Sequence, residues 1–236
     1  MNILALDTTR REGSVAVARD GTVLHESAGD PAVTHGERLP GDVAHALGQA
    51  GLAIEDVDLL ALAAGPGSFT GLRVGVATVQ GLAFARGLQV VPVPTLEALA
   101  RAASESGAAS GLTAVWMDAQ RGEVFAAIYD AGGREVVAPQ SARPLQVLDR
   151  WSAREHAIRL ADIDLFFGDG AARYEIAIRD ALGPHASVAD APPLAGTIAR
   201  IAFAQPHRAV APHAIVPIYV RRPDAELARD RREGRT

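Results

Sequence analysis

Twice in 236 residues the chain runs an apolar stretch into an aspartate, turns, and returns through a strand-like segment. Leu6-Asp7-Thr8-Thr9-Arg10-Arg11 closes the first stretch and Met117-Asp118-Ala119-Gln120-Arg121-Gly122 the second, with the aspartates 111 residues apart. The neighbourhoods match in order. Residues 2–7 are apolar, 13–19 alternate with Val15 and Val17 on one face, and 22–26 follow the hairpin signal Asp20-Gly21. In the second half 113–118 are apolar, 123–129 alternate, Asp130-Ala131-Gly132-Gly133 turns, and 134–138 return. A helix is expected after each trio. The first spans 37–50, with Leu39, Val43 and Leu47 at four-residue spacing and Gly51 at its end; the second spans 144–154. Strands at 57–64, 89–93 and 165–167 and helices at 70–86, 96–104, 172–182 and 194–204 complete the two halves. So long a period signals an internal duplication, not a solenoid.

Three antiparallel strands followed by α/β crossovers, used twice, are the plan of the actin-like ATPase (ASKHA) fold. The expected class is therefore α/β, with two lobes built from a duplicated βββαβα unit. The lobes are expected at 1–108 and 109–205, joined through Ser106-Gly107-Ala108-Ala109-Ser110-Gly111. Residues 206–236 would form a return segment and a charged tail. From Arg221 that tail holds six arginines against four acids, a composition that suits a solvated, disordered end. A net charge of −5 argues against a protein that grips nucleic acid alone. No run is long and apolar enough to span a membrane, and Met1 to Asp7 lacks the basic start of a signal peptide. With no cysteine, disulfides and thiolate chemistry are excluded. A cytoplasmic protein is expected.

Gly65-Pro66-Gly67-Ser68-Phe69-Thr70-Gly71 sits between a strand and a helix, where unpaired backbone N–H groups favour anions. The same glycines equally serve a sharp turn and close packing. The block is not a P-loop, because all 23 basic residues are arginine and none is lysine. It is not a dinucleotide fingerprint either, since one residue too many separates Gly67 from Gly71. Pro66 and Thr70 stand where a nucleophile elbow needs glycine. The two aspartate turns lack the glycine that lets backbone approach phosphate. A weakened nucleotide site is expected around Asp7, Thr8, Thr9, Gly65, Gly67, Ser68, Asp118, Gly168, Asp169 and Gly170, with at most weak ATP or ADP affinity and no intrinsic cofactor. No two of the seven histidines stand three or four apart, so no helical metal pair is expected. His35 and Glu37 suit a helix entry. Gly71, Gly75 and Thr78 form a small-residue stripe, and Gly41, Ala44, Ala46 and Gly48 add small residues on the preceding helix. Each interior glycine costs a helix ~1 kcal/mol, a cost tolerated where another backbone comes close. That backbone could be the chain's own sheet or a partner helix.

Ile3-Leu4-Ala5-Leu6-Asp7-Thr8-Thr9, His35-Gly36-Glu37-Arg38-Leu39-Pro40, the block from Gly65 to Gly75, Asp118-Ala119-Gln120-Arg121-Gly122-Glu123-Val124-Phe125 and Val216-Pro217-Ile218-Tyr219-Val220-Arg221 together resemble the TsaB (YeaZ-like) family. They occur in family order over almost the whole chain. The resemblance implies an actin-like two-lobed fold and a part in forming N6-threonylcarbamoyladenosine at position 37 of tRNAs that read codons beginning with A. It implies a noncatalytic subunit, with no catalytic residues of its own. Its partners would be the catalytic subunit TsaD, which carries the metal, and the ATPase TsaE. Transfer RNA would be met indirectly through the complex. Self-association would use the same face, expected here at Leu39, Val43, Leu47, Gly71, Leu72, Gly75, Thr78 and Val79. One departure is Gly36, where the family often has a small polar residue. Two other classes compete: a free-standing actin-like ATP-dependent phosphotransferase, favoured by the aspartate turns, and a peptidase, which lacks both a metal pair and a nucleophile elbow.

Overall fold

The computed structural model describes residues 1–153 and 158–221; the charged tail beyond Arg221 and the end of the helix expected at 144–154 lie outside them. Strands β1 (Asn2–Asp7), β2 (Ser14–Arg19) and β3 (Thr22–Ala28) form an antiparallel trio. Asp20 and Gly21 between β2 and β3 both have positive φ, the geometry of a type I′ hairpin turn. β1 also pairs in parallel with β4 (Leu59–Gly65), which pairs with β5 (Val90–Pro94). The sheet order is β3-β2-β1-β4-β5. In the second half β6 (Leu112–Asp118), β7 (Val124–Tyr129), β8 (Glu135–Ala142), β9 (Ile163–Phe167) and β10 (Val188–Ala189) form a sheet ordered β10-β9-β6-β7-β8. Read from β8, this is the first order repeated, so the duplication holds strand by strand. The two-residue β10 was too short to be expected from sequence.

Alternation along β1 divides its side chains between two cores. Leu4 and Leu6 pack with Val15, Val17 and Leu62 under helices α1 (His35–Gln49) and α2 (Phe69–Arg86). Ile3 and Ala5 face the opposite way, toward α3 (Thr95–Glu105) and α7 (Ala195–Ala204). A third core places Trp116 and Phe166 against Trp151 of α4 (Pro144–Ser152) and Ile178 of α6 (Glu175–Leu182). The helix expected at 172–182 is in fact two, because α5 (Asp169–Arg173) breaks at Tyr174.

The sheets do not each own a core. α3 follows the first sheet yet packs on β6, while α7 follows the second and packs chiefly on β1 and β2. Ile3, Ala5, Leu96, Val115, Phe125 and Ile198 share one core. The boundary at 108/109 thus separates the sheets but not the packing. Beyond α7 the chain returns to the first lobe, with Val210 bridging Val90 and Ile218 donating its N–H to the Ala64 carbonyl at 2.7 Å.

Candidate functional site

The turn after β1 is held by its own aspartate. Asp7 is 1% exposed, and its Oδ1 accepts from Thr9 N (2.8 Å) and Thr9 Oγ1 (2.5 Å). Its Oδ2 faces Arg10 Nε at 3.7 Å. The Arg10 guanidinium continues to the carbonyls of Pro192 (2.7 Å) and Ala191 (3.4 Å) in the second half of the chain. Ser68 N donates to Thr9 O at 2.8 Å, and Ser68 Oγ caps α2 by accepting from Gly71 N. A Cβ at Gly67 would meet Thr9 Cα at 2.8 Å, and one at Gly71 or Gly75 would overlap Thr8. Gly65, at φ +110°, lies against the Ile218 carbonyl. These glycines therefore admit the chain's own turn and return segment. Of the two readings of this block, the packing accounts for the sharp turn and close approach, while Gly67 and Ser68 still line the cleft.

The second turn is closed in the same manner. Asp118 Oδ1 accepts from Gln120 N, and its Oδ2 accepts from Gln120 Nε2 and Arg173 Nη1, all at 3.0 Å. Gln120 and Arg121 both adopt positive φ. Gly168 and Gly170 press on the backbone of Trp116 and Met117 and leave no room for a Cβ. Asp169 accepts from Gly170 N (2.9 Å) and Asp118 N (3.3 Å); burial pushes its carboxyl up to about 6. Between the turns lies a cleft of about 1140 Å³. Arg173 hydrogen-bonds Asp118 at one side of this cleft, and at the other Arg10 Nε faces Asp7 Oδ2 without a hydrogen bond, both atoms being buried. Among the described residues no three His, Cys, Asp or Glu side chains gather closely enough to hold a metal ion.

His35 belongs to the scaffold of this cleft. Its Nε2–H donates to Arg10 O (2.9 Å), and its Nδ1 accepts from Arg38 Nη2 (2.8 Å). Burial, and then the Arg38 charge, depress its pKa. Glu37 accepts from Thr34 N and Thr34 Oγ1 at the entry to α1. The return segment joins both lobes along one wall: Gln80 Nε2 donates to Pro212 O, while Arg221 donates to Ala119 O and Glu123 Oε2.

The helical face needs a correction. Leu39, Val43, Leu47, Gly71, Leu72, Gly75 and Val79 are buried within the chain, and Thr78 is half-buried. These residues support the face from behind and cannot themselves be its surface. Ala46 also points inward. The outward surface is Gly41, Ala44 and Gly48 of α1 with Ala77, Gly81 and Ala85 of α2, and Phe84 there is 89% exposed. A Cβ at Gly41, Gly48 or Gly81 would meet nothing within 4 Å. Sequence reasoning had also missed Arg10 and Arg173. For Arg10 a signal existed, since an arginine stands three residues after each duplicated aspartate.

Duplicated five-stranded sheets facing each other across such a cleft define an actin-like ATPase fold. A family model described as TsaD, tRNA N6-adenosine threonylcarbamoyltransferase, matches residues 30–228. YeaZ from Pseudomonas aeruginosa is 31% identical, with a TM-score of 0.70 over 92% of this chain and 99% of that one. The tRNA threonylcarbamoyladenosine biosynthesis protein TsaB of Bacillus subtilis is 28% identical over 230 residues, 96% of each chain. The protein of that name from Haemophilus influenzae is 41% identical over 127 residues, 53% of this chain and about half (52%) of its own length. The chain belongs to the TsaB/YeaZ family. No helix among the described residues is long and apolar enough to cross a membrane.

Proposed function

We propose that this chain takes part in forming N6-threonylcarbamoyladenosine on tRNA as a noncatalytic subunit that binds and activates a TsaD-type transferase. The ATPase TsaE joins the pair. The observation that carries this reading is the state of the two aspartates. Each is engaged by its own turn and by an arginine, Asp7 by Arg10 and Asp118 by Arg173. An actin-like enzyme needs those carboxylates for its metal-bound phosphates. Any intrinsic ATP or ADP affinity is accordingly weak, and the chain acts through its surface. The open face of Gly41, Ala44, Gly48, Ala77 and Gly81 around Phe84 suits close helix-to-helix contact with the transferase, or with a second copy when the transferase is absent.

Depletion of the protein should lower the threonylcarbamoyladenosine content of tRNA, measured by nucleoside mass analysis, and the native gene should restore it. Gly81→Arg adds bulk where no atom lies within 4 Å, so the chain should fold normally but lose co-elution with the transferase. Unchanged nucleoside levels on depletion would refute the role. Unchanged co-elution would refute the face.

A further inference from the structure

The cleft mouth carries two aromatic rings that the fold itself does not bury. Phe69, the first residue of α2, is 38% exposed, and Tyr219 on the return segment is 42% exposed. Their centroids are 5.4 Å apart with the planes tilted by 43°, and both line the cleft. The Arg73 guanidinium lies 4.0 Å over the Phe69 ring. Arginine is concentrated at this place. Five arginines line the cleft with three acids, Glu12, Asp118 and Asp169, while Asp7 and Glu123 outside the lining ion-pair Arg10 and Arg221. Asp118 is already paired with Arg173. Arg11 commits its Nε–H to the Pro31 carbonyl and Arg173 one guanidinium nitrogen to Asp118, which leaves further N–H groups of both forks for an anion.

We infer that this mouth docks one unstacked nucleotide of an RNA strand, with its base laid on Phe69 and Tyr219 and its flanking phosphates on the surrounding arginines. Every base has a π-face, so stacking on aromatic side chains beside a cationic groove is how single strands are held without reading sequence. A free nucleoside triphosphate suits the place less well. Its phosphates call for a metal, and the two aspartates that would hold one are engaged. The choice of RNA as the strand rests on the function proposed above; the stacking pair and the charge do not.

The test is fluorescence anisotropy of the full chain with a labelled oligoadenylate RNA of about eight nucleotides. A duplex of equal length and ATP alone serve as the other arms. The single strand should bind with an affinity that falls as salt rises, and more tightly than either alternative. Phe69→Leu and Tyr219→Leu should each weaken it about fivefold or more. Arg11→Gln should lower the salt slope by about 0.7. Thermal melts of all three variants should match the native chain. Binding that survives both aromatic substitutions overturns the inference, as does a duplex that binds equally well. So does tight binding of ATP with no affinity for the strand. Loss of transferase co-elution in Phe69→Leu with RNA binding unchanged would assign the mouth to a protein and overturn it too. If depletion lowers tRNA threonylcarbamoyladenosine and no RNA binds here, this inference alone fails.

Discussion

A single methyl group at two places on α2 should have opposite effects. At Gly71 an added Cβ would overlap the Thr8 carbonyl oxygen, and it would stand 3.2 Å from the carbonyl carbon and 3.3 Å from His35 Cδ2. The turn is poorly able to yield, because Thr9 N and Oγ1 hold Asp7 while Thr9 O accepts from Ser68 N. Overpacking of this kind costs about 1–3 kcal/mol. Breaking one of the buried hydrogen bonds to relieve it costs ~1–3 kcal/mol more. The better helix propensity of alanine returns at most ~1 kcal/mol. Gly71→Ala should therefore lose roughly 1–5 kcal/mol, which in a chain of this size lowers Tm by about 2–20 °C. Gly81 lies ten residues further along the same helix, exposed, with nothing within 4 Å of its added Cβ. Gly81→Ala should keep the propensity gain and raise Tm by ~2–4 °C. Thermal unfolding followed by far-UV circular dichroism reads both, and urea midpoints check the ranking. Two shifts of the same sign, or a Gly71→Ala chain as stable as the native one, would refute the argument that packing on Thr8 selects these glycines.

Asp169→Asn keeps an acceptor for Gly170 N and removes a charge that burial disfavours. The folded carboxyl titrates near 6, above its ordinary 3.8, so ionisation weakens the fold as pH rises between those values. The variant should match the native chain at low pH and exceed it at neutral pH by up to ~3 kcal/mol in urea unfolding. His35 has the opposite sign of dependence: its depressed pKa means the unfolded chain takes the proton first, so its contribution is full above 6.5 and is lost as pH falls. His35→Gln should flatten that acid limb, seen by comparing urea midpoints at about pH 7.5 and about pH 5.5. Arg221→Ala should cost ~1–2 kcal/mol by freeing the Ala119 carbonyl and Glu123. Hydrogen exchange at 119–123 should rise with it.

The sequence by itself determined the architecture, because duplication and alternation are local and repeated. Asp7 and Asp118 end equivalent central strands, and the apolar positions of β1 alternate between two covered faces as the pattern requires. Which way α2 turns its glycines was open, since close packing on the chain's own backbone and close approach of a partner select the same small residue. Only the tertiary structure decided between them, with Gly71 and Gly75 set on Thr8 and Gly81 left open. The same holds for Arg10, whose guanidinium meets the carbonyls of Ala191 and Pro192 far along the chain. No local pattern encodes that meeting. It exists because the two lobes fold against one shared core and bring those carbonyls to Arg10.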